Sequence, residues 1–212
     1  MKDPAFAKFV LLVNGVVPLA LLCWDGYWNQ LGPDRVAAAL HTTGMLALVF
    51  LMLTLTVTPV RKFTGWNWLS HFRRMLGLYA FFYGYLHFLI YFVFDRGLDV
   101  GSVFADTARR PFILLGMTCL VLMVPLAITS TNGMIKRLGA AKWKRLHQLV
   151  YISAIAGVIH FEWLVKADHR LPNGFAAVLL ALLAYRLFVD QIPALRKKKT
   201  FNRAGMAHPG NS

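Results

Sequence analysis

The chain has 212 residues, 58% hydrophobic and 15% charged, with a formal net charge of +14, a pI near 10.2 and a mean hydropathy of +0.54. A soluble globular domain carries about a quarter charged residues, so this composition excludes an ordinary soluble fold and reads as an all-α integral membrane protein. The basic total invites a nucleic-acid reading, which the distribution of that charge along the chain argues against.

A membrane helix needs about 20 mainly apolar residues to cross about 30 Å of hydrocarbon. Six stretches meet or approach that length, at 6–24, 40–58, 75–94, 112–129, 147–165 and 174–189, and together they predict a six-helix bundle. The first follows Lys2 and Lys8 as a signal peptide would, but its end, PLALLCWDGYW, lacks the small residues of a cleavage site, so it is read as a span. The second opens at HTTG, which brings His41. On the third, Arg73, Gly77, Ala80, Gly84, His87 and Tyr91 fall on one stripe at alternating spacings of four and three. The fourth holds Cys119, and neither it nor Cys23 belongs to a C-x-x-C or C-x-x-C-H motif, which leaves disulfide chemistry and covalent haem attachment without support. The fifth carries His147 and His160, with Ser153 and Gly157 on the His160 face. After the sixth comes LRKKKTFNRAGMAHPGNS, expected to be a disordered cytoplasmic tail. Without G-x-G-x-x-G or a P-loop, no dinucleotide domain is expected in this chain.

Charge is almost wholly one-sided. The N-terminus, loops 59–74 and 130–146 and the region after residue 185 hold 17 Lys/Arg against Asp3 and Asp190, whereas the opposite loops hold 6 against 7 acids. Positively charged loops stay cytoplasmic, so six spans with both termini cytoplasmic satisfy every loop, and the high pI is a topology signal rather than a nucleic-acid one. The basic clusters, including Arg73, Arg74, Lys142, Lys144 and Arg145, also meet anionic lipid headgroups or stand where a propionate or a flavin phosphate needs a partner.

Ionisable groups within spans are costly and are functional candidates by default. Here they are histidines, because the spans hold almost no carboxylates; Glu162 is the single glutamate. Spans three and five run in the same direction. His87 stands 13 residues beyond Arg74 and His160 13 beyond His147, about 20 Å along each axis, so the two share one depth in the outer half of the membrane, where His41 also belongs. His147 lies at the inner boundary, and His147 and His160 cannot share one metal or haem. Small residues beneath a histidine leave room for a flat macrocycle, and axial His holds b-type haem without covalent attachment. The alternative is interhelical hydrogen bonding, with the small residues serving helix packing; the chain would then be a six-span transporter or membrane scaffold. A zinc site lacks a close-spaced ligand set such as H-E-x-x-H. Met45 and Met75 are weak further candidates as axial ligands.

The segment TSTNGMIKRLGAAKWKRLHQLVY (129–151), with Leu138, Gly139, Trp143, Leu146, His147 and Tyr151, together with RRMLGLYAFFYGYLH (73–87) and HTTG (41–44), resembles the MsrQ (YedZ) family. These are haem-binding membrane subunits of the periplasmic methionine sulfoxide reductase system, related to the ferric reductase-like transmembrane domain. The resemblance covers about 35–190, with a first helix and loop at 1–34 and a basic tail at 191–212. It implies a b-type cytochrome of the bacterial inner membrane with one or two haems, passing electrons to the periplasmic molybdopterin subunit MsrP, which itself reduces methionine sulfoxide in oxidised periplasmic proteins. It implies electron entry from the quinone pool or a cytosolic flavin reductase, and FMN as a further cofactor. His87, His147 and His160 carry over as haem-iron positions, with His41 as a further candidate; Arg73 is a cofactor-binding candidate from its own place on the third span, at the depth of His147. Two-haem relatives of the wider family pair two histidines on the third span with two on the fifth, whereas Arg73 stands 14 before His87 here, so His147 lacks an evident second imidazole.

Overall fold

A computed structural model describes the backbone of residues 4–206 and the side chains of residues 6–188. The regular structure of the described residues is all helical, joined by short turns, with no strand among them. In order they form α1 (Pro4–Tyr27), α2 (Arg35–Thr64), a 3-10 turn (Asn67–His71), α3 (Arg73–Ile90) continued by a π turn (Tyr91–Asp95), α4 (Val100–Arg109), α5 (Pro111–Ile128), α6 (Asn132–Leu138), α7 (Ala140–Leu146), α8 (Leu149–Leu164) and α9 (Arg170–Met206).

Local chemistry explains the boundaries. Asp34 caps α2 by accepting from the Ala37 amide at 2.9 Å, and Gly65 ends it at φ 74°, a left-handed position that glycine adopts without a Cβ penalty. Asp99 caps α4 through the Gly101 amide, and Pro111 opens α5 at a position where its missing N–H costs nothing. α4, α6 and α7 occupy stretches expected to be loops.

Among the described residues five helices are long and apolar enough to cross a membrane: Phe6–Tyr27, Arg35–Thr64, Arg73–Asp95, Pro111–Ile128 and Arg170–Phe188. The remaining expected span, 147–165, is shorter in the structure. α8 has 16 residues, about 24 Å at 1.5 Å per residue, which falls short of the hydrocarbon thickness. His147 does not open it; it closes α7 at φ −69° and ψ −5°, and the chain turns there before α8 begins. His147 and His160, expected on one span, therefore do not lie on one continuous helix. α9 continues to Met206; its side chains after 188 and residues 207–212 lie outside the described residues, and the expected disordered tail falls on that stretch.

The core lies where α2 packs on α3 and α5 on α8, with Leu48, Leu51, Ala80, Tyr83, Ala154 and Val158 buried. Large apolar side chains such as Phe9, Leu21, Val121 and Leu180 remain on the outside, as lipid-facing helices require. α1 sits at the edge of the bundle. The Tyr79 and Tyr83 hydroxyls donate to the Leu12 and Gly15 carbonyls at 2.7 Å each, and a Cβ on Gly15 would collide with the Tyr79 ring. This is close packing through a small residue with interhelical hydrogen bonds beside it.

Candidate functional site

α2, α3, α5 and α8 enclose a cavity of about 570 Å³ into which His87 and His160 project, within the roughly 300–1,000 Å³ range of small-molecule and cofactor sites. Most of its lining is apolar, including Leu48, Leu51, Met123 and Phe161. The ring centres of the two histidines are 6.2 Å apart and their planes nearly perpendicular at 86°. A metal–imidazole bond is about 2 Å long, so two imidazoles on opposite sides of one metal stand with ring centres about 6 Å apart. The observed separation meets that requirement.

Each ring is held through Nδ1. His87 Nδ1 lies 2.9 Å from the Leu40 carbonyl oxygen and His160 Nδ1 2.6 Å from that of Phe112. A carbonyl only accepts, so Nδ1 carries the proton in both rings, and each Nε2 keeps its lone pair, as metal-binding imidazoles are usually arranged. Thr43 Oγ1 is a weaker neighbour of His87 Nδ1 at 3.5 Å.

Glycines make room for the rings. A Cβ at Gly44 would come within 3.1 Å of the His87 ring, and one at Gly116 within 2.8 Å of His160 Nδ1. Gly84 and Gly157, on the expected histidine faces of α3 and α8, line the same cavity. Gly44, Gly116 and the carbonyls of Leu40 and Phe112 were not singled out from sequence; the HTTG motif held a signal for Gly44 alone. A flat, apolar, carboxylate-bearing macrocycle with a central metal suits this lining: glycine on four helices, two imidazole rings 6.2 Å apart and few charges. His41, on α2, lines the cavity without facing the other rings closely; its nearest ring is Phe161, 6.4 Å away and edge-on. Met45 lines the cavity as well.

His147 belongs elsewhere. It lines a second cavity of about 460 Å³ together with Arg73, Lys144, Tyr151 and Arg186. Its ring stacks on Trp143 at 3.9 Å, and its Nδ1 lies 3.1 Å from the Trp143 carbonyl. Its buried Nε2 has no hydrogen-bond partner, and neither does the buried Nε of Arg73, whose terminal nitrogen donates to Thr58 at 2.7 Å. His71 is exposed in the 3-10 turn, bonded to the Trp68 carbonyl, and does not line this cavity. Among the described residues no group of three or more His, Cys, Asp or Glu is placed to hold a metal ion.

Residues 39–158 match the profile of the ferric reductase like transmembrane component family. The chain is 46% identical over 88% of its length to a protein of Ralstonia nicotianae, covering 87% of that protein. It is 43% identical over 85% to one of Herminiimonas arsenicoxydans (84% of that protein) and 44% identical over 84% to one of Deinococcus radiodurans (87% of that protein). Each of the three is a protein-methionine-sulfoxide reductase heme-binding subunit, MsrQ. No solved structure matches.

Proposed function

The chain belongs to the MsrQ family of heme-binding subunits, and on that premise we propose that it is a membrane electron-transfer protein whose paired-histidine cavity holds a b-type haem. In this reading His87 and His160 would hold the haem iron, with His41 at the cavity wall. When bound, the haem supplies a one-electron couple inside the membrane. The residues do the rest. Leu40 and Phe112 fix the tautomer and ring direction of the two histidines, the glycines keep the slot open, and the apolar walls exclude water. The observation that carries the reading is the pair of imidazoles with ring centres 6.2 Å apart, each anchored through Nδ1.

The finer assignments rest on the same premise. The one-sided basic charge supports six spans, α8 included, with both termini cytoplasmic, in the bacterial inner membrane. The haem domain then spans 35–190, after a first helix and loop at 1–34 and before a basic tail at 191–212. This topology puts the paired histidines in the outer half and His147 at the inner boundary. Electrons enter on the inner side from the quinone pool or a cytosolic flavin reductase, and leave outward to MsrP, where methionine sulfoxide is reduced. Arg73, Lys144 and His147 line the inner cavity, which suits an anionic cofactor such as a second haem or FMN.

The test is optical. Protein made with adequate haem supply should show a haem band that shifts on dithionite reduction. A colourless preparation would defeat the reading.

A further inference from the structure

The paired-histidine cavity is charged at one end only, where Asp95, Arg96 and Arg110 contribute to its lining. These belong to a network that ties three elements together. Arg96 reaches Asp95 through Nε at 2.9 Å and a terminal nitrogen at 2.7 Å, and Asp106 through the other terminal nitrogen at 3.1 Å. Asp106, buried on α4, also accepts from the Tyr91 hydroxyl at 2.9 Å and pairs with Arg110 Nε at 3.6 Å. Arg110 has its side chain half exposed, and this long contact is its one ion pair among the described residues. It stands two residues before Phe112, whose carbonyl orients His160.

We infer that Arg96 and Arg110 form the carboxylate-binding end of this cavity and fix which way round a planar, carboxylate-bearing ligand lies; on the haem reading proposed above, those carboxylates are the propionates. An ionised carboxylate is strongly disfavoured against apolar walls without a cationic or hydrogen-bonding partner. Arg96 and Arg110 are the only Lys or Arg residues in the described lining; Asp95, paired to Arg96, and Tyr91 accompany them, and away from this group the cavity offers the histidine rings and mainly apolar side chains. A guanidinium has five N–H donors. Asp95 and Asp106 together engage all three nitrogens of Arg96, whose two terminal nitrogens each keep one further N–H, whereas Asp106 meets Arg110 through Nε, so Arg110 offers the larger share of donors to a ligand. Asp106 and Tyr91 thus act as positioning residues: they hold the two cations at the cavity's end against the repulsion between like charges.

The test uses the full chain, purified in detergent without haem and titrated with iron protoporphyrin IX or with its dimethyl ester, whose propionates are neutral. The ester should bind the unaltered chain about tenfold more weakly than the free acid, the scale of one charge-assisted hydrogen bond. Arg110→Gln should weaken the free acid by a similar factor and leave the ester unchanged, while Arg110→Lys recovers part of the loss. Arg110→Gln keeps the Arg96–Asp106 and Tyr91–Asp106 contacts, so its helicity should match that of the unaltered chain. Equal affinity for the two porphyrins, or equal weakening of both by Arg110→Gln, overturns the inference and leaves the haem reading standing. Failure of the unaltered chain to bind either porphyrin overturns both.

Discussion

The two cavities differ in how they treat a histidine. In the first, two imidazoles from α3 and α8 face each other, each tied by Nδ1 to a carbonyl on another helix, in an apolar slot opened by glycines. In the second, one imidazole lies on a tryptophan of its own short helix, among Arg73, Lys144 and Arg186, with its Nε2 buried and without a hydrogen-bond partner. In the first, both rings carry their proton on Nδ1 and keep the Nε2 lone pair. The second offers positive charge and a single nitrogen. The same residue type thus marks two environments, and the anchoring partner, more than the histidine itself, separates them.

The largest expected effect breaks the first site. His87→Ala and His160→Ala should each abolish its haem, read as haem per chain, whereas His147→Ala should leave that haem in place. Loss of the first-site haem in the His147 variant alone would erase the distinction between the cavities. Next come the glycines. Gly116→Val drives a branched side chain into His160, where even a Cβ would lie 2.8 Å from Nδ1, and overpacking of about 1–3 kcal/mol should lower haem occupancy about tenfold. Gly44→Ala, with its 3.1 Å contact, should lower it less, and Gly133→Ala, which meets nothing within 4 Å, should not change it. The smallest effect is one of scaffold alone: Tyr83→Phe loses the bond to the Gly15 carbonyl and should cost about 1 kcal/mol of stability in detergent, with the haem spectrum unaltered.

Much of this arrangement can be read along the chain, because apolar runs of span length and the spacing of His87 and His160 from their basic boundaries are local facts. Comparable depth on two parallel helices is a sequence argument, and the structure brings those two rings together. The break at His147 is not legible in the same way. The apolar pattern runs across it, and only the turn in the backbone separates α7 from α8. The carbonyls of Leu40 and Phe112 stand 47 and 48 positions from the rings they orient, and nothing about a leucine or a phenylalanine announces a carbonyl's direction. The Arg96–Asp106 network likewise depends on α4, a helix of 10 residues in a segment that reads as a loop.

The most direct test of the central claim is electron paramagnetic resonance of the oxidised protein, recorded with haem quantification for the single variants His87→Ala and His160→Ala and for the double variant. If the two residues bind one iron, the unaltered chain shows a low-spin signal of two imidazole ligands, either single variant loses it, and the double variant loses no more haem than either alone. Persistence of that signal in one single variant, or additive haem loss in the double variant, would contradict a shared iron.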